Sequence, residues 1–353
     1  MDKKPRVGIF GATGAVGKEI IKVLFDRKFP IKELRLFASE KSVGKKVETP
    51  VGKIALENAN TADYSKLDVA FFAIGGGWPK KNAPKATKAG CVVIDNSSTF
   101  RYDKDVPLVV PQINASSIGK SKLIANPNCT TAIAALPLFE IYKKYGLKKV
   151  IISTYQATSG AGSEGMDELL SQTKNYLAGR KVENKIFAYP IPFNLIPQID
   201  VFQDNAYTKE EMKVVWETRK IFGDEKLSVS CTSVRIPTLR VHSESITVET
   251  EKKVKAEDVK KLLSNTKGII LKDEIVIADG KTNNDNPKKS IYPMPLTATG
   301  KYDVEVGRIR QSLVFGEYGI DFFVAGDQLL RGAALNAVEI AEFVVKQRFD
   351  KGQ

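Results

Sequence analysis

Histidine and cysteine are scarce in this chain of 353 residues, which has one histidine and three cysteines. A single histidine excludes a histidine-rich metal site. Cys91, Cys129 and Cys231 form no C-x-x-C pair, so neither a disulfide framework nor a zinc site is indicated. We therefore expect no bound metal and a reducing, cytoplasmic compartment.

Long apolar runs are also missing, since none reaches the roughly 18 residues of a membrane span. The opening "MDKKPRVGIFGATG" leads directly into an apolar strand, without the pattern of a secretion signal. No internal repeat or low-complexity segment interrupts the chain. The sequence therefore predicts a globular protein without a membrane partner.

The net charge of +13 raises the possibility of nucleic-acid binding. The lysines, however, are spread along the whole chain, with no arginine-rich tract and no aromatic stacking motif. We interpret the charge as a solvated lysine surface that attracts anionic substrates, and we expect no nucleic-acid partner.

The length predicts two domains, because one core rarely serves more than about 250–300 residues. Near-continuous apolar runs in "RVGIF", "ELRLFAS", "DVAFFAIGG" and "GCVVIDNSS" are typical of buried parallel strands. They alternate with helical patterns, so the fold class is α/β with an N-terminal Rossmann-type doubly wound domain. We assign residues 1–128 and 330–353 to this dinucleotide-binding domain.

Residues 129–329 are predicted to form an α+β catalytic and dimerisation domain. A helix begins at the capping box Thr208-x-x-Glu211 and ends at Gly223. The segment "LSVSCTSVRIPTLRVHSESITVETEK" alternates in the manner of antiparallel strands. The closing segment "YGIDFFVAGDQLLRGAALNAVEIAEFVVKQ" predicts one more strand and a long amphipathic helix, which should return to the first domain.

A glycine turn stands between the first strand and the first helix. Gly11, Gly14 and Gly17 have G-x-x-G-x-x-G spacing, which allows backbone N–H groups and a helix N-terminus to approach a pyrophosphate. After the second strand, Ser39, Lys41 and Ser42 offer hydroxyls and a cation that suit a 2′-phosphate. NADP is therefore favoured, and the one nearby acid, Glu40, keeps NAD as the alternative.

Cys129 follows Asn-Pro-Asn and directly precedes a predicted helix. The unpaired N–H groups of that helix end would stabilise a thiolate, and Asn128 is a suitable cap. A small buried cysteine is the alternative, and it fits Cys91 and Cys231, which stand in strand patterns. We interpret Cys129 as a nucleophile.

His242 in "RVHSES" is the one side chain of its type that could transfer protons near neutral pH. Arg235 is seven residues earlier, an odd number that places the two on opposite faces of a straight strand. They share a site only if the chain turns between them, and Pro237 is the expected place.

These motifs resemble a known family. "GATGAVG", "NSSTFR", "NPNCTT", "YQATSGAG" and "RIPTLRVHSES" occur in the order and spacing of aspartate-β-semialdehyde dehydrogenases of the bacterial branch, over residues 5–348. The resemblance implies NADPH-dependent reduction of β-aspartyl phosphate to aspartate semialdehyde with release of phosphate, a step towards lysine, threonine and methionine. It also implies a homodimer or homotetramer.

The resemblance implies a role for each matching residue. Cys129 would be the nucleophile, His242 the acid–base group and Gln156 a substrate-positioning group. The other implied contacts are Arg235 and Glu217 for the aspartyl carboxylate and amino group; Arg101, Asn128 and Lys220 for the phosphate; and Gly11, Thr13, Gly14, Ala15, Val16, Ser39, Lys41, Ser42, Ser159, Gly160 and Gln328 for NADP(H).

The residues themselves support part of this. Glu217 and Lys220 are three apart on one predicted helix, so both can face one cleft, although a surface ion pair has the same spacing. N-acetyl-glutamyl-phosphate reductase, a related acyl-CoA reductase and an inactive paralogue remain as alternatives. The first acts on an acylated amine, which has no use for an anionic Glu217.

Overall fold

The computed structural model describes residues 4–275 and 290–348. The predicted domain limits at 1–3 and 349–353 lie outside the described residues. Within the described residues, no helix combines the length and apolarity that a bilayer crossing requires.

A mostly parallel, seven-stranded sheet forms the N-terminal half, as the apolar runs predict. Its order is β3-β4-β2-β1-β5-β6-β7, and only the β3–β4 hairpin is antiparallel. The strands are β1 (Arg6–Phe10), β2 (Glu33–Ala38), β3 (Lys46–Thr49), β4 (Gly52–Asn58), β5 (Val69–Phe72), β6 (Val92–Asp95) and β7 (Leu123–Ala125). The helices of this half are α1 (Ala15–Asp26), α2 (Trp78–Lys88) and α3 (Pro111–Asn114).

A six-stranded mixed sheet organises the second half, in the order β11-β12-β13-β10-β8-β9. Its strands are β8 (Lys149–Gln156), β9 (Ser228–Arg235), β10 (His242–Glu249), β11 (Ile269–Leu271), β12 (Val304–Gln311) and β13 (Gly319–Gly326). Its helices are α4 (Cys129–Tyr145), α5 (Gly162–Leu177), α6 (Lys209–Phe222), α7 (Ala256–Ser264) and α8 (Pro295–Ala298).

The strands β9 and β10 differ from the expected antiparallel pair. Each pairs with β8, β9 in parallel and β10 antiparallel, so β8 lies between them. The alternation of side chains shows which face is buried but carries no information on the neighbouring strand. The predicted turn between Arg235 and His242 is confirmed, because the two residues end one strand and begin the next.

The closing helix α9 (Leu335–Arg348) packs against α1, and both bury apolar side chains beneath β1. A single π-helical turn, Leu330–Ala334, leads into it. A second core continues from the other face of the first sheet, past α4, to the inner face of the second sheet. The two halves therefore share apolar packing, and the boundaries at 128/129 and 329/330 stay a prediction.

Candidate active site

Cys129 is the first residue of α4, directly after the short link from β7. The side chain of Asn128 caps the helix, its Oδ1 accepting hydrogen bonds from the N–H groups of Thr130 (3.0 Å) and Thr131 (3.3 Å). The π-helical turn approaches from the other side. A methyl group on Gly332 would lie 2.7 Å from the Cβ of Cys129, so only glycine permits this contact.

The thiol of Cys129 is less acidic than the helix position predicts. Burial, and then the charge of Glu210, raise its pKa to about 12, against the opposing effects of Arg101, Arg235 and the N–H of Thr130. The expectation of a stabilised thiolate is therefore corrected for the free protein. The loss of solvation destabilises the thiolate more than the N-terminus of the helix stabilises it.

His242 begins β10 and is fully buried beside the end of β8. Its Nδ1 accepts a hydrogen bond from the N–H of Ala157 (3.1 Å), and its Nε2 lies 3.4 Å from the side-chain nitrogen of Gln156. Burial, and then Arg235, lower the pKa of His242 to about 3. The imidazole is neutral at physiological pH.

Val241 directs His242 into the site at a conformational cost. Its φ of +79° lies in the left-handed region, which a β-branched residue rarely adopts. Such a residue costs on the order of 1–3 kcal/mol and needs support from its surroundings. The N–H of Val241 donates to Oε1 of Gln328 (2.7 Å), and the Gln328 amide donates to Oγ of Ser159, which fixes the turn.

Arg101 and Arg235 bring two buried guanidinium groups to the same cavity. Arg101 donates to the carbonyl oxygens of Asn126 (2.9 Å) and Asn96 (3.0 Å) and forms an ion pair with Glu217. Arg235 donates to the carbonyl of Ala157 (2.5 Å). In the described part of the chain Arg235 has no acidic partner, so its charge is available to an anion.

Glu217 and Lys220 do not line the cavity, which corrects the expectation that they contact substrate. The carboxylate of Glu217 accepts hydrogen bonds from Nη1 of Arg101 (3.1 Å) and from the N–H of Asn128 (2.5 Å) beneath the site. Lys220 donates to three backbone carbonyls, those of Arg101, Asp103 and Val106. Both residues instead hold the chain around Arg101.

Glu210 and Lys213, two turns earlier on the same face of α6, do line the cavity. Oε1 of Glu210 accepts from Asn128 (3.0 Å) and Gln156 (3.1 Å), and Oε2 accepts from Lys213 (3.0 Å). Burial alone would raise the pKa of Glu210, but Lys213 and these hydrogen bonds lower it to about 2. This pair was not predicted from the sequence, although it has the same three-residue spacing as Glu217 and Lys220.

A cavity of about 420 Å³ connects these groups with the glycine turn of the first domain. Its lining combines charged side chains with amide side chains and backbone groups. Of the predicted residues it is lined by Val16, Arg101, Asn128, Cys129, Gln156, Ser159, Gly160, Arg235 and Gln328. His242 lies directly behind Gln156 and Gly160, since a methyl group on Gly160 would be 3.3 Å from its Nε2.

The remaining predicted cofactor residues surround the turn between β1 and α1. Gly11 has φ +87°, and a methyl group there would lie 2.5 Å from the carbonyl oxygen of Ala73. Gly14 caps α1 without a side-chain hydrogen bond, so the N–H groups of its first turn remain available to a phosphate. Exposed Thr13 and half-buried Ala15 flank Gly14.

Ser39, Lys41 and Ser42 lie where β2 ends, beside the glycine turn, whose N–H groups at 11 and 12 donate to the carbonyl of Phe37. Ser39 and Lys41 are exposed, and Lys41 has no ion-pair partner in the described part of the chain. The residues therefore fit a dinucleotide with an anionic ribose substituent. Within the described residues no cluster of side chains could hold a metal ion.

The arrangement supports thiol addition to a carbonyl carbon. The thiol of Cys129 shares a cavity with two arginines and a lysine that can bind anionic groups, and with the carboxylates of Glu210 and Asp200, whose pKa values are both lowered. The cavity extends to a surface that fits a dinucleotide. Acyl transfer through sulfur coupled to hydride transfer is the chemistry that these groups support together.

The chain matches two domain families, described as "Semialdehyde dehydrogenase, NAD binding domain" over residues 6–121 and "Semialdehyde dehydrogenase, dimerisation domain" over 138–331. An aspartate-semialdehyde dehydrogenase of Aquifex aeolicus is 47% identical over 350 residues, which cover 97% of this chain and 98% of that protein. One from Bacillus subtilis is 42% identical over 355 residues, with 98% and 99% covered. The crystal structure of aspartate semialdehyde dehydrogenase II from Vibrio cholerae complexed with ASA has a TM-score of 0.92 at 42% identity, covering 98% of this chain and all of that one.

Proposed function

The chain belongs to the aspartate-semialdehyde dehydrogenase family of oxidoreductases, and we propose that it reduces L-β-aspartyl phosphate to L-aspartate 4-semialdehyde with NADPH. The product would supply lysine, threonine and methionine biosynthesis. The observation that carries the proposal is the cavity in which Cys129 meets charged groups complementary to an aminoacyl phosphate.

Each charge of the substrate has a counterpart. Arg235, without an acidic partner in the described residues, would bind the α-carboxylate. Glu210, ionised at neutral pH, would bind the ammonium group. Arg101 and Lys213 would hold the phosphate, because charge-assisted hydrogen bonds from cations are the strong ones for such groups. Asn128 would complete the phosphate site.

The reaction at Cys129 conserves atoms and charge. Sulfur attacks the acyl carbon, the thiol proton passes to a phosphate oxygen, and the carbon–oxygen bond breaks to release hydrogen phosphate and a thioester. Arg101 and Lys213 would stabilise the charge that develops on the leaving phosphate. Because burial holds the thiol protonated, the substrate's phosphate is the nearby group suited to accept that proton.

NADPH, when bound, supplies the hydride for reduction of the thioester. The first turn of α1 and Thr13 would hold its pyrophosphate, and Ser39, Lys41 and Ser42 its 2′-phosphate. Ser159 and Gln328 would position the nicotinamide end, because they line the cavity together with Val16.

The alternative of an N-acetyl-glutamyl-phosphate reductase is not favoured by the relatives. Its substrate has an acylated amine without a positive charge, so it could not form an ion pair with the ionised Glu210.

The test is an assay of NADP reduction with aspartate semialdehyde and phosphate, repeated with NAD. Cys129→Ala should abolish turnover while NADPH still binds, and Cys231→Ala is the matched control, since Cys231 is buried in β9 outside the cavity. If Cys129→Ala kept a few per cent of the wild-type rate, Cys129 would not be the nucleophile.

We also propose that the chain forms a homodimer through the dimerisation domain. The outer face of β8 exposes Ile151 (46%) and Tyr155 (37%), the end of α5 exposes Leu177 (72%), and the segment after α5 exposes Phe193 (69%). Apolar side chains of this size on one domain are typical of an interface. Light scattering should give twice the mass of 38.9 kDa, and a monomer would contradict the proposal.

A further inference from the structure

We propose that Phe187 is a positioning residue, whose ring holds the guanidinium of Arg235 in the active-site cavity so that it selects substrates with an α-carboxylate. The buried carboxylate of Glu168 holds Phe187 in turn. The contact between ring and guanidinium follows from this chain's geometry alone. The part that concerns the substrate rests on the proposed function, because it requires Arg235 to bind the carboxylate.

Arg235 has few polar contacts for a buried guanidinium. It is 6% exposed, and among the described residues its one hydrogen-bond acceptor is the carbonyl of Ala157. The backbone of Gly160 approaches it closely, since a methyl group there would lie 2.7 Å from Nη1 of Arg235. A guanidinium has five N–H donors, and one hydrogen bond leaves the group free to turn about that contact. Its orientation therefore depends on what else packs against it.

The ring of Phe187 packs against this guanidinium. Its centroid lies 5.7 Å from Cζ of Arg235, within the range of a cation–π contact. The tip of the ring also lies against α5, because a methyl group on Gly165 would be 3.2 Å from Cζ of Phe187. An aromatic face stabilises a cation without neutralising its charge, as a carboxylate would. Arg235 is therefore held in place and keeps its charge for a ligand.

A second cavity next to Arg235 indicates what the ring prevents. It has a volume of about 280 Å³ and shares Ile199, Asp200 and Arg235 with the active-site cavity, whereas Phe187 lines the second cavity alone. Arg235 thus borders two spaces, and its long, flexible side chain could extend into either one. A smaller side chain at position 187 would enlarge the second cavity and let the guanidinium move away from the substrate.

The position of Phe187 depends on Glu168, because residues 183–190 form neither helix nor strand. Phe187 is half-buried, while the other residues of this segment are exposed. The buried carboxylate of Glu168, on α5, accepts hydrogen bonds from three successive backbone N–H groups, those of Lys185 (2.9 Å), Ile186 (2.7 Å) and Phe187 (3.2 Å). Hydrogen bonds to a charged acceptor are the strong ones, so Glu168 orders the segment and directs the ring of Phe187 at Arg235.

The first test is the KM for aspartate semialdehyde. In Phe187→Leu this KM should rise about tenfold, while kcat and the KM for NADP stay within about twofold, because the carboxylate is bound equally in the ground and transition states. Phe187→Tyr keeps the aromatic face and should keep the wild-type KM. Phe202→Leu is the matched control, since Phe202 is exposed and lines neither cavity. An unchanged KM in Phe187→Leu, or an equal rise in the KM for NADP, would overturn the proposal.

The second test changes the substrate. An analogue of aspartate semialdehyde without the α-carboxylate offers Arg235 no group to bind. Wild type and Phe187→Leu should therefore use this analogue with equal kcat/KM, so that the loss in the variant is confined to the substrate that has the carboxylate. Equal losses with both substrates would show that Phe187 does not act through Arg235, and the positioning role would be refuted.

The third test needs no substrate. Phe187→Leu, Arg235→Gln, the double variant and the wild type form a double-mutant cycle, which is measured by unfolding each protein in urea. A cation–π contact should couple the two substitutions by about 2- to 30-fold in the folding equilibrium constant. Strictly additive effects would contradict the contact between ring and guanidinium.

Glu168→Gln tests the same contact without changing the ring or Arg235. The amide offers one oxygen to three N–H groups, so the segment should loosen and the KM for aspartate semialdehyde should rise while that for NADP stays unchanged. A wild-type KM for both substrates would refute the support by Glu168. Should the protein fail to use aspartate semialdehyde while the cycle shows the coupling, the proposed function and the substrate part of this inference would fall, and the contact would stand.

Discussion

The two glutamates of α6 allow a sharp test of which one contacts the substrate. Glu210 lines the cavity, whereas Glu217 lies beneath it and is bound to Arg101 and Asn128. Glu210→Gln keeps an oxygen that can accept from Asn128 and Gln156, but it removes the charge that would bind the substrate's ammonium group. A hydrogen bond to a charged group contributes about 1.5–3 kcal/mol, so kcat/KM should fall roughly 10- to 100-fold.

Glu217→Gln should act mainly on stability. Three donors converge on its carboxylate, from Arg101, Tyr102 and the backbone of Asn128, and a glutamine offers them one oxygen. Breaking a buried ion pair on one side costs about 3–5 kcal/mol. The variant should therefore lose several degrees of Tm, and its KM for phosphate should rise because Arg101 is no longer held.

The assay compares aspartate semialdehyde with an analogue that lacks the amino group. Wild type and Glu217→Gln should prefer the amino substrate by similar ratios of kcat/KM, and Glu210→Gln should lose most of that preference. If Glu217→Gln lost the preference and Glu210→Gln kept it, the assignment to Glu210 would be refuted and the original expectation for Glu217 restored.

Three further predictions concern other parts of the molecule. Gly332→Ala should reduce kcat by about 100-fold with little change in NADPH affinity, since its methyl group would displace the Cβ of Cys129; an undiminished kcat would contradict the close packing. Lys41→Ala should raise the KM for NADP about tenfold and leave that for NAD unchanged, with the exposed Lys32→Ala as control. Glu244→Gln should raise Tm, and this gain should grow as the pH rises above the pKa that the carboxyl has in the unfolded chain. The pKa of Glu244 is raised in the folded protein, so the native state must keep this group protonated while the unfolded chain ionises it. A Tm difference independent of pH would refute this.

The first sheet could be predicted from sequence because parallel strands buried on both faces leave apolar runs that need no partner to be recognised. The β3–β4 hairpin was missed for the opposite reason. Its residues are mostly exposed or half-buried, as the pattern of Lys46–Thr49 shows, so no hydrophobic period marks them. The pairing of β9 and β10 with β8 depends on a strand that is some 80 residues earlier in the chain, which alternation alone cannot indicate.

The site was predictable where a motif fixes geometry locally. Asn128 caps the helix that begins at Cys129, because an Asn side chain reaches the N–H groups two and three residues ahead. The local sequence does not show which of the two Glu–Lys pairs of α6 lines the cavity. Both pairs have the same spacing and lie on the same face of the helix. Glu217 supports the site because it binds Arg101, which is 116 residues earlier in the sequence.

The acidity of the Cys129 thiol was also wrongly predicted, for a related reason. The helix end predicts an acidic thiol for Cys129, yet desolvation and Glu210 prevail and raise its pKa to about 12. Burial likewise keeps His242 neutral, while Glu210 stays ionised. Cys129 and His242 are thus uncharged in the free protein, and the charged side chains that line the cavity are those of Arg101, Asp200, Glu210, Lys213 and Arg235. Reactivity would then depend on the arriving substrate, whose phosphate takes the thiol proton, so that the thiol should resist alkylation at neutral pH more than an exposed cysteine does.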